Sequence, residues 1–379
     1  MKFIINSQVF SKQLQAVSGV LTNNNTIPII NCFHFHINDD VLTVTATDLE
    51  TTIRVGIQLE SGRAEGIENV CVPSRILLDT LKSMDDVPMT FSVDPTTFAI
   101  EIVSGDGKFQ LAGQNAETYP TLPELESTLT LTLPSVALIE AVNKTAFACS
   151  TDDVRKQMAG IYFVFGPDSM NVVATDAHKL VRYRRLDVKS DTDASFIMPR
   201  KPIMLVKNTL AANKDENVEM NCNSTNASFR FGNTYIISRL VEGKYPNTDA
   251  AIPKENPNKL TLDRTSFLNM LRRVGLFASQ STHQVRLSLS ASELTIGAED
   301  IEFSNKAQEK MPCQYEGEDM EIGFNAKFLI EMVNNIDTEN VRIEMSHPSR
   351  AGILFPVYED DTPREDEILM LVMPVMLSN

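Results

Sequence analysis

The sequence predicts an α+β protein of three similar domains, each with two helices and many short strands. Three landmarks predict it, because they recur in the same order in each third of the 379 residues, at a period of about 128 residues. The first landmark is a short alternating strand, a polar or proline break and a helical run. It reads FIINSQVFSKQLQAV from Phe3, LTLPSVALIEAVNKT from Leu131 and LTLDRTSFLNMLRRV from Leu260. The second is a strand running into a turn: VLTVTATD ending at Asp48, SMNVVATD at Asp176 and ELTIGAED at Asp300. The third is a strand leading into a short helix: CVPSRILLDTL, IMPRKPIMLVKNTL and IGFNAKFLIEMVNNI, with Pro73, Pro199 and Phe324 at matching positions. A period this long excludes a solenoid, whose repeats run roughly 20–50 residues.

Taken in order, each helix is predicted by apolar spacing. In the first repeat the face is Val9, Phe10, Gln13, Leu14 and Val17. In the second it is Leu138, Ile139, Val142 and Ala146, and in the third Phe267, Leu268, Leu271 and Val274. Ser7, Ser135 and Asp263 stand where N-caps belong. Proline-rich links, YPTLPELEST at 119–128 and YPNTDAAIPKENPN at 245–258, divide the chain into domains 1–126, 127–256 and 257–379. The acidic stretch Glu359–Glu367 reads as a solvated loop.

Composition narrows the function classes. Hydrophobic residues make up 42% and charged residues 22%, enough apolar surface for sizeable cores and against disorder of the whole chain. The longest apolar stretch, Ile368–Leu377, is interrupted by Pro374 and falls well short of the roughly 18 residues that span a bilayer. The N-terminus turns polar at Asn6, so no signal-peptide core is expected. Cys32, Cys71, Cys149, Cys222 and Cys313 are widely spaced without a CxxC pair, which favours buried free thiols in a reducing cytoplasm over disulfides or zinc.

Catalytic motifs are sparse. There is no GxGxxG, P-loop, HExxH or GxSxG. His34 and His36 alternate on one strand face but have no acidic or cysteine partner at ligand spacing, so no metal site and no cofactor are expected. Asp176 and His178 could form half of an acid–base pair in an enzyme. The competing reading is that Asp48 and Asp176 hold tight turns through backbone hydrogen bonds, with His178 as a pocket wall.

The net charge is −16, which taken alone argues against nucleic-acid binding. The charge is unevenly spread. The six predicted helices carry a net +7, leaving −23 for strands and loops. Lys12, Arg75, Lys82, Lys144, Arg200, Lys201, Lys207, Arg264, Arg272, Arg273 and Lys327 supply the cations, against Asp79, Glu140, Asp263 and Glu331. A basic helical surface in an acidic body would attract a phosphate backbone locally and repel it elsewhere. The same cations would also suit ordinary solvated helix faces. No aromatic platform interleaves them and Trp is absent, so stacking on single-stranded bases is not indicated.

Several stretches in this order resemble one family. MKFIINSQVFSKQLQAVSGVL, TIPII at Thr26–Ile30, ATDLE ending at Glu50, VATDAHKL, MPRK at Met198–Lys201, LVEGKYP ending at Pro246 and VMPVML are similar to the bacterial DNA polymerase III beta subunits, the replicative sliding clamps. The resemblance runs from Met1 to Leu377. It implies a DNA-clamp fold and a head-to-tail homodimer whose six domains close a ring around duplex DNA, helices inside and antiparallel sheets outside. It implies a seam in which Phe109 and Leu111 of one copy meet Leu276 and Phe277 of the other. It also implies a pocket for Gln-Leu-x-Leu-Phe motifs of the DNA polymerase III alpha subunit, the clamp loader, other polymerases and mismatch-repair proteins. The deep part of that pocket would be Met158, Thr175, His178, Leu180, Pro246, Leu371 and Met373, and its rim Arg155, Ala177, Pro374, Val375 and Met376. Such a protein has no catalytic activity of its own and works in the cytoplasm at the nucleoid, without a membrane. The DNA contacts would be Arg75, Lys82, Arg200, Lys201, Lys207, Arg272 and Arg273. The chain departs from the family pattern at Ala250, Met376, Lys156 and Gln157, at the Asn23-Asn24-Asn25 run, and at Ser378 and Asn379 beyond Leu377. On residues alone, the methionine-rich tail would read as a buried edge strand.

Overall fold

A computed structural model describes the chain except residues 23–25, 124, 212–215, 361 and 378–379. The departures noted at 23–25 and 378–379 therefore lie outside the described residues. Among the described residues six α-helices form: α1 (Ser7–Ser18), α2 (Ser74–Lys82), α3 (Ser135–Thr145), α4 (Arg200–Leu210), α5 (Arg264–Gly275) and α6 (Ala326–Asn334). Four sheets, antiparallel throughout, carry the strands. The chain divides into two compact units, residues 1–139 with 201–240 and residues 140–200 with 241–379.

The first unit holds a five-stranded and an eight-stranded sheet. The five-stranded sheet ends at the edge strand Gly107–Ala112, which pairs only with Ala99–Ser104. In the eight-stranded sheet, Thr51–Gln58 of the first repeat pairs with Thr234–Arg239 of the second, Ile53 opposite Ile236. Ile53, Val55 and Ile236 are buried on one face, and the other carries exposed Arg54 beside buried Thr52 and Ile237. Phe3, Phe10, Phe35 and Phe91 meet beneath α1, with Phe3 stacked on Phe91 at 4.7 Å between ring centroids.

The second unit repeats the plan. A nine-stranded sheet pairs Lys179–Arg185 of the second repeat with Asp366–Val372 of the third, Leu180 opposite Leu371. A four-stranded sheet ends at the edge strand Asn305–Pro312, which pairs only with Glu293–Asp300. Phe163, Phe165 and Phe196 stack within this unit.

The sequence landmarks reappear as matching hydrogen bonds. At the head of α1, α3 and α5, the amides of Ser7, Ser135 and Arg264 donate to the carbonyls of Val87, Glu216 and Glu339, at 2.9, 3.1 and 2.9 Å. Each acceptor immediately precedes a strand, so each helix is tied to its sheet in one way. This corrects two expected caps. Ser7 and Ser135 lie inside the first turn, and their hydroxyls donate to the carbonyls of Asp85 and Glu216. Asn6 caps α1 instead, accepting from the amides of Gln8 and Val9. Asp263 does cap α5, accepting from the Ser266 amide at 2.7 Å. Val9, expected on the apolar face, is 51% exposed, while Ser11 is buried in its place.

The three turn aspartates behave alike. Asp48 Oδ1 accepts from the amides of Glu50 and Thr51, Asp176 Oδ1 from His178 and Lys179, and Asp300 Oδ1 from Glu302 and Phe303. Leu49 (φ 78°) and Ala177 (φ 76°) take the left-handed conformation that such a tight turn requires. The turn-holding reading of Asp48 and Asp176 is thus the one the geometry bears out. Four of the five cysteines are buried, Cys313 is half-buried, and all five are free.

Candidate functional site

The expected pocket residues lie in the second unit and are positioned by three elements. The first is the Asp176 turn between strands Met170–Thr175 and Lys179–Arg185. Thr175 Oγ1 donates to the Lys179 carbonyl (2.7 Å) and accepts from the Ala177 amide (3.1 Å). The turn is therefore rigid, and it presents exposed Ala177 and His178. His178 stacks over Phe328 at 6.2 Å between centroids.

The second element is the strand Asp366–Val372. It has a neighbour on both sides, Lys179–Arg185 and Gly352–Val357, whereas the methionine-rich tail beyond it, read on residues alone as a buried edge strand, leaves the sheet after Val372. The strand's apolar continuity is that of an interior strand, which needs cover on both faces. Leu371 and Leu180 are each 3% exposed and form one cluster with Val173, Ile197, Tyr245 and Ala351. Tyr162, Val241, Ile252 and Leu369 pack on its margin, and Tyr162 lies flat on Tyr245 at 4.8 Å. Burial pushes the Tyr245 phenol above its ordinary value.

The third element is the tail beyond Val372. The Met373 amide donates to the His178 carbonyl and the Val375 amide to the Gly323 carbonyl, each at 2.8 Å. Pro374 bridges to Phe324. These bonds fix the tail backbone and leave side chains outside: Met373 is 41% exposed and Met376 71%. Met158 and Pro246 are half-buried, and Arg155 is exposed. The deep residues thus include a packed floor, Thr175, Leu180 and Leu371, and open walls, His178, Met158, Pro246 and Met373. Flexible thioethers above an aliphatic floor suit the reception of apolar side chains.

Some residues of this site were not anticipated. Lys179 is buried, with its ammonium paired to Glu331, 3.7 Å from Asp176 Oδ2 and 4.9 Å from the Phe328 ring centroid. The signal was available as a lysine three residues after the turn aspartate. Tyr245, Val173 and Ile197 were missed because nothing in a linear pattern brings distant strands together. Asp176 commits one carboxylate oxygen to two amides and faces Lys179 with the other, an arrangement that holds a turn rather than moves a proton.

The expected DNA-contacting cations sit at helix ends and faces. Arg75, Lys82, Arg200, Lys201, Arg272 and Arg273 are exposed and Lys207 is half-buried. In the first unit Arg75 and Lys82 flank a cleft of about 620 Å³ beside the end of α1, and Lys201 Nζ stands 3.3 Å from Asp48 Oδ2. In the second unit Arg272 donates to Asn334 Oδ1 at 3.0 Å. Arg273 is held by both Glu309 oxygens at 2.8 and 2.6 Å, which turns it toward the edge strand Asn305–Pro312. The expected seam residues fall at two exposed places. Phe109 (39% exposed) and Leu111 lie on the edge strand Gly107–Ala112, and Leu276 (81%) and Phe277 (41%) follow α5.

His36 Nδ1 lies 3.0 Å from Asn69 Oδ1, and His34 stacks on Tyr119 with its pKa lowered by burial. No group of three or more His, Cys, Asp or Glu able to hold a metal occurs among the described residues. No helix among them is long and apolar enough to cross a membrane.

Fold and repeat together define a three-repeat α+β protein of two-helix, antiparallel-sheet modules. Family models of the DNA polymerase III beta subunit match it in three parts: the N-terminal domain at residues 1–123, the central domain at 132–247 and the C-terminal domain at 249–372. The chain is 30% identical over 347 residues to the beta sliding clamp of Haemophilus influenzae, covering 90% of this chain and 92% of that one. It is 27% identical over 379 residues to the beta sliding clamp of Pseudomonas putida, across the whole of both chains. A crystal structure of the sliding clamp from Pseudomonas aeruginosa bound to griselimycin matches with a TM-score of 0.93 at 26% identity, over the whole of both chains. The chain belongs to the DNA polymerase III beta subunit family, the beta sliding clamps.

Proposed function

We propose that the chain is a processivity factor. Two copies close head to tail into a ring of six domains, three per copy at 1–126, 127–256 and 257–379, around duplex DNA. The helices face the DNA. Arg75, Lys82, Arg200, Lys201, Lys207 and Arg272 make exchangeable, sequence-blind phosphate contacts, with Arg273 attenuated by Glu309. Enclosure supplies retention, so weak contacts suffice and the ring slides. Phe109 and Leu111 meet Leu276 and Phe277 of the second copy, and edge-to-edge pairing leaves no sheet edge bare at the seam. The protein acts in the cytoplasm at the nucleoid and catalyses no reaction of its own.

The cleft over Leu180 and Leu371 receives apolar anchors of Gln-Leu-x-Leu-Phe segments from the polymerase alpha subunit, the clamp loader, other polymerases and mismatch-repair proteins. The observation that carries this reading is the packed aliphatic floor beneath exposed Met373 and Met376, on a tail held in place by backbone hydrogen bonds. A titration of a Gln-Leu-x-Leu-Phe peptide tests it. The His178→Ala variant should bind the peptide less tightly and remain a dimer by sedimentation. Unchanged affinity would remove His178 from the cleft, and failure of the wild type to bind would overturn the reading.

A further inference from the structure

Next to the cleft, on the same face of the nine-stranded sheet, lies a cavity of about 430 Å³. The strand register leads from one to the other. Leu180 lies opposite Leu371, Arg182 opposite Leu369 and Arg184 opposite Glu367. Alternate residues share a face, so the strand presents a leucine and two arginines in file. Leu369 packs on the apolar cluster and also lines the cavity. Arg342 and Arg364 add to the cationic wall, over the rings of Phe355 (5.6 Å) and Tyr358 (4.1 Å). Stacking fixes each guanidinium plane, and each also meets one carboxylate, Arg342 that of Glu344 at 2.9 Å and Arg364 that of Asp360 at 2.5 Å, which leaves further N–H donors on each fork.

Four cations line the cavity against two anions, Asp366 and Glu367. Arg182 already touches Asp249 at 3.0 Å and Arg184 touches Glu367 at 3.3 Å, but both carboxylate side chains are largely exposed. Such surface pairs are weak and exchange readily, and a guanidinium with five donors can accept a second carboxylate. In a chain of net charge −16, a locally cationic cavity is where an acidic segment is attracted rather than repelled. We propose that this cavity receives acidic side chains that flank the apolar motif of a partner peptide. It thereby selects among partners that share one motif. The inference rests on the reading of the cleft as a peptide site.

Three synthetic peptides test it, each with a Gln-Leu-x-Leu-Phe core and with acidic, Gly-Ser or lysine residues on both flanks. On the wild-type protein the acidic peptide should bind about three- to tenfold tighter than the neutral one, and the lysine peptide more weakly than either. Added salt should compress the differences. The double variant R182Q/R184Q should lose the acidic preference and keep the affinity for the neutral peptide. Equal affinity of the three peptides for the wild type would overturn the inference and leave the cleft reading standing. Uniform weakening of all three by R182Q/R184Q would also overturn it, because the arginines would then only shape the cleft. If no peptide binds, the cleft reading fails and the inference falls with it.

Discussion

The two places where strands of successive repeats join one sheet are built alike and finished differently. Both are antiparallel pairings next to an aspartate-held turn. In both, the carbonyl two residues after the aspartate accepts the amide that follows the partner strand's paired stretch: Glu50 from Arg239 in the first unit, His178 from Met373 in the second, each at 2.8 Å. The outer faces then diverge. In the first unit, the register that Leu180 and Leu371 occupy in the second holds Thr52 opposite Ile237, and beside it exposed Arg54 lies opposite half-buried Tyr235. In the second, the same face carries Leu180 and Leu371, bordered by a tail that ends in exposed methionines. A duplicated joint thus supplies the scaffold, and the proposed peptide site differs from its counterpart by a few side chains.

Removing the tail should give the largest effect. Truncation after Val372 deletes the bonds to His178 and Gly323 and the methionine wall. Affinity for a Gln-Leu-x-Leu-Phe peptide should fall by about 100-fold or more, while sedimentation still shows the dimer. Unchanged affinity would show that the two joints are functionally equivalent.

Next come Leu276→Lys and Phe277→Lys. Each places a charge in the proposed apolar seam, at a cost of about 2–4 kcal/mol of dimer stability. Sedimentation should find monomers, and a stable dimer would contradict the seam assignment.

A matched pair of buried residues separates scaffold from site. Leu371→Ala and Ile237→Ala, at matching register in the two joints, should each cost about 2–4 kcal/mol in chemical denaturation, because each leaves a cavity in a packed sheet. Only Leu371→Ala should weaken peptide binding. Equal losses of affinity would erase the distinction between the joints.

The smallest effect is a pH dependence shared by both units. Burial pushes the thiols of Cys71 and Cys149 up to about 12 and that of Cys222 up to about 11. The folded values lie above the unfolded one. Their contribution to stability is therefore fully present below the ordinary thiol value of 9.0 and is lost as pH rises toward about 11–12. Calorimetry should find a steady Tm up to about pH 8.5 and a decline above it. A Tm that holds or rises through about pH 10 would contradict this.

Periodicity and repetition made much of the fold legible. The six helices, the turn aspartates and the order of landmarks all follow from local pattern. The misses have physical causes. Ser7 and Ser135 look like caps, but their hydroxyls bond to carbonyls 78 and 81 residues away, which no local rule can see. The Ile368–Leu377 run reads as one element, yet it is an interior strand up to Val372 and an exposed tail beyond it, because its neighbours come from elsewhere in the chain. Of the site, the floor and walls were legible through family resemblance. The pairing of buried Lys179 with Glu331 and the arginine file beside Leu180 were not, since both depend on which elements lie side by side.

A closed ring is held on DNA by topology, and retention on circular duplex measures this directly. The protein is loaded onto nicked circular duplex by its cognate loader with ATP, washed at high salt, and the circle is then cut. A closed ring should stay on the circles through the wash and run off once ends exist. A protein that never remains on circles, while a control clamp loaded in parallel does, would contradict ring closure.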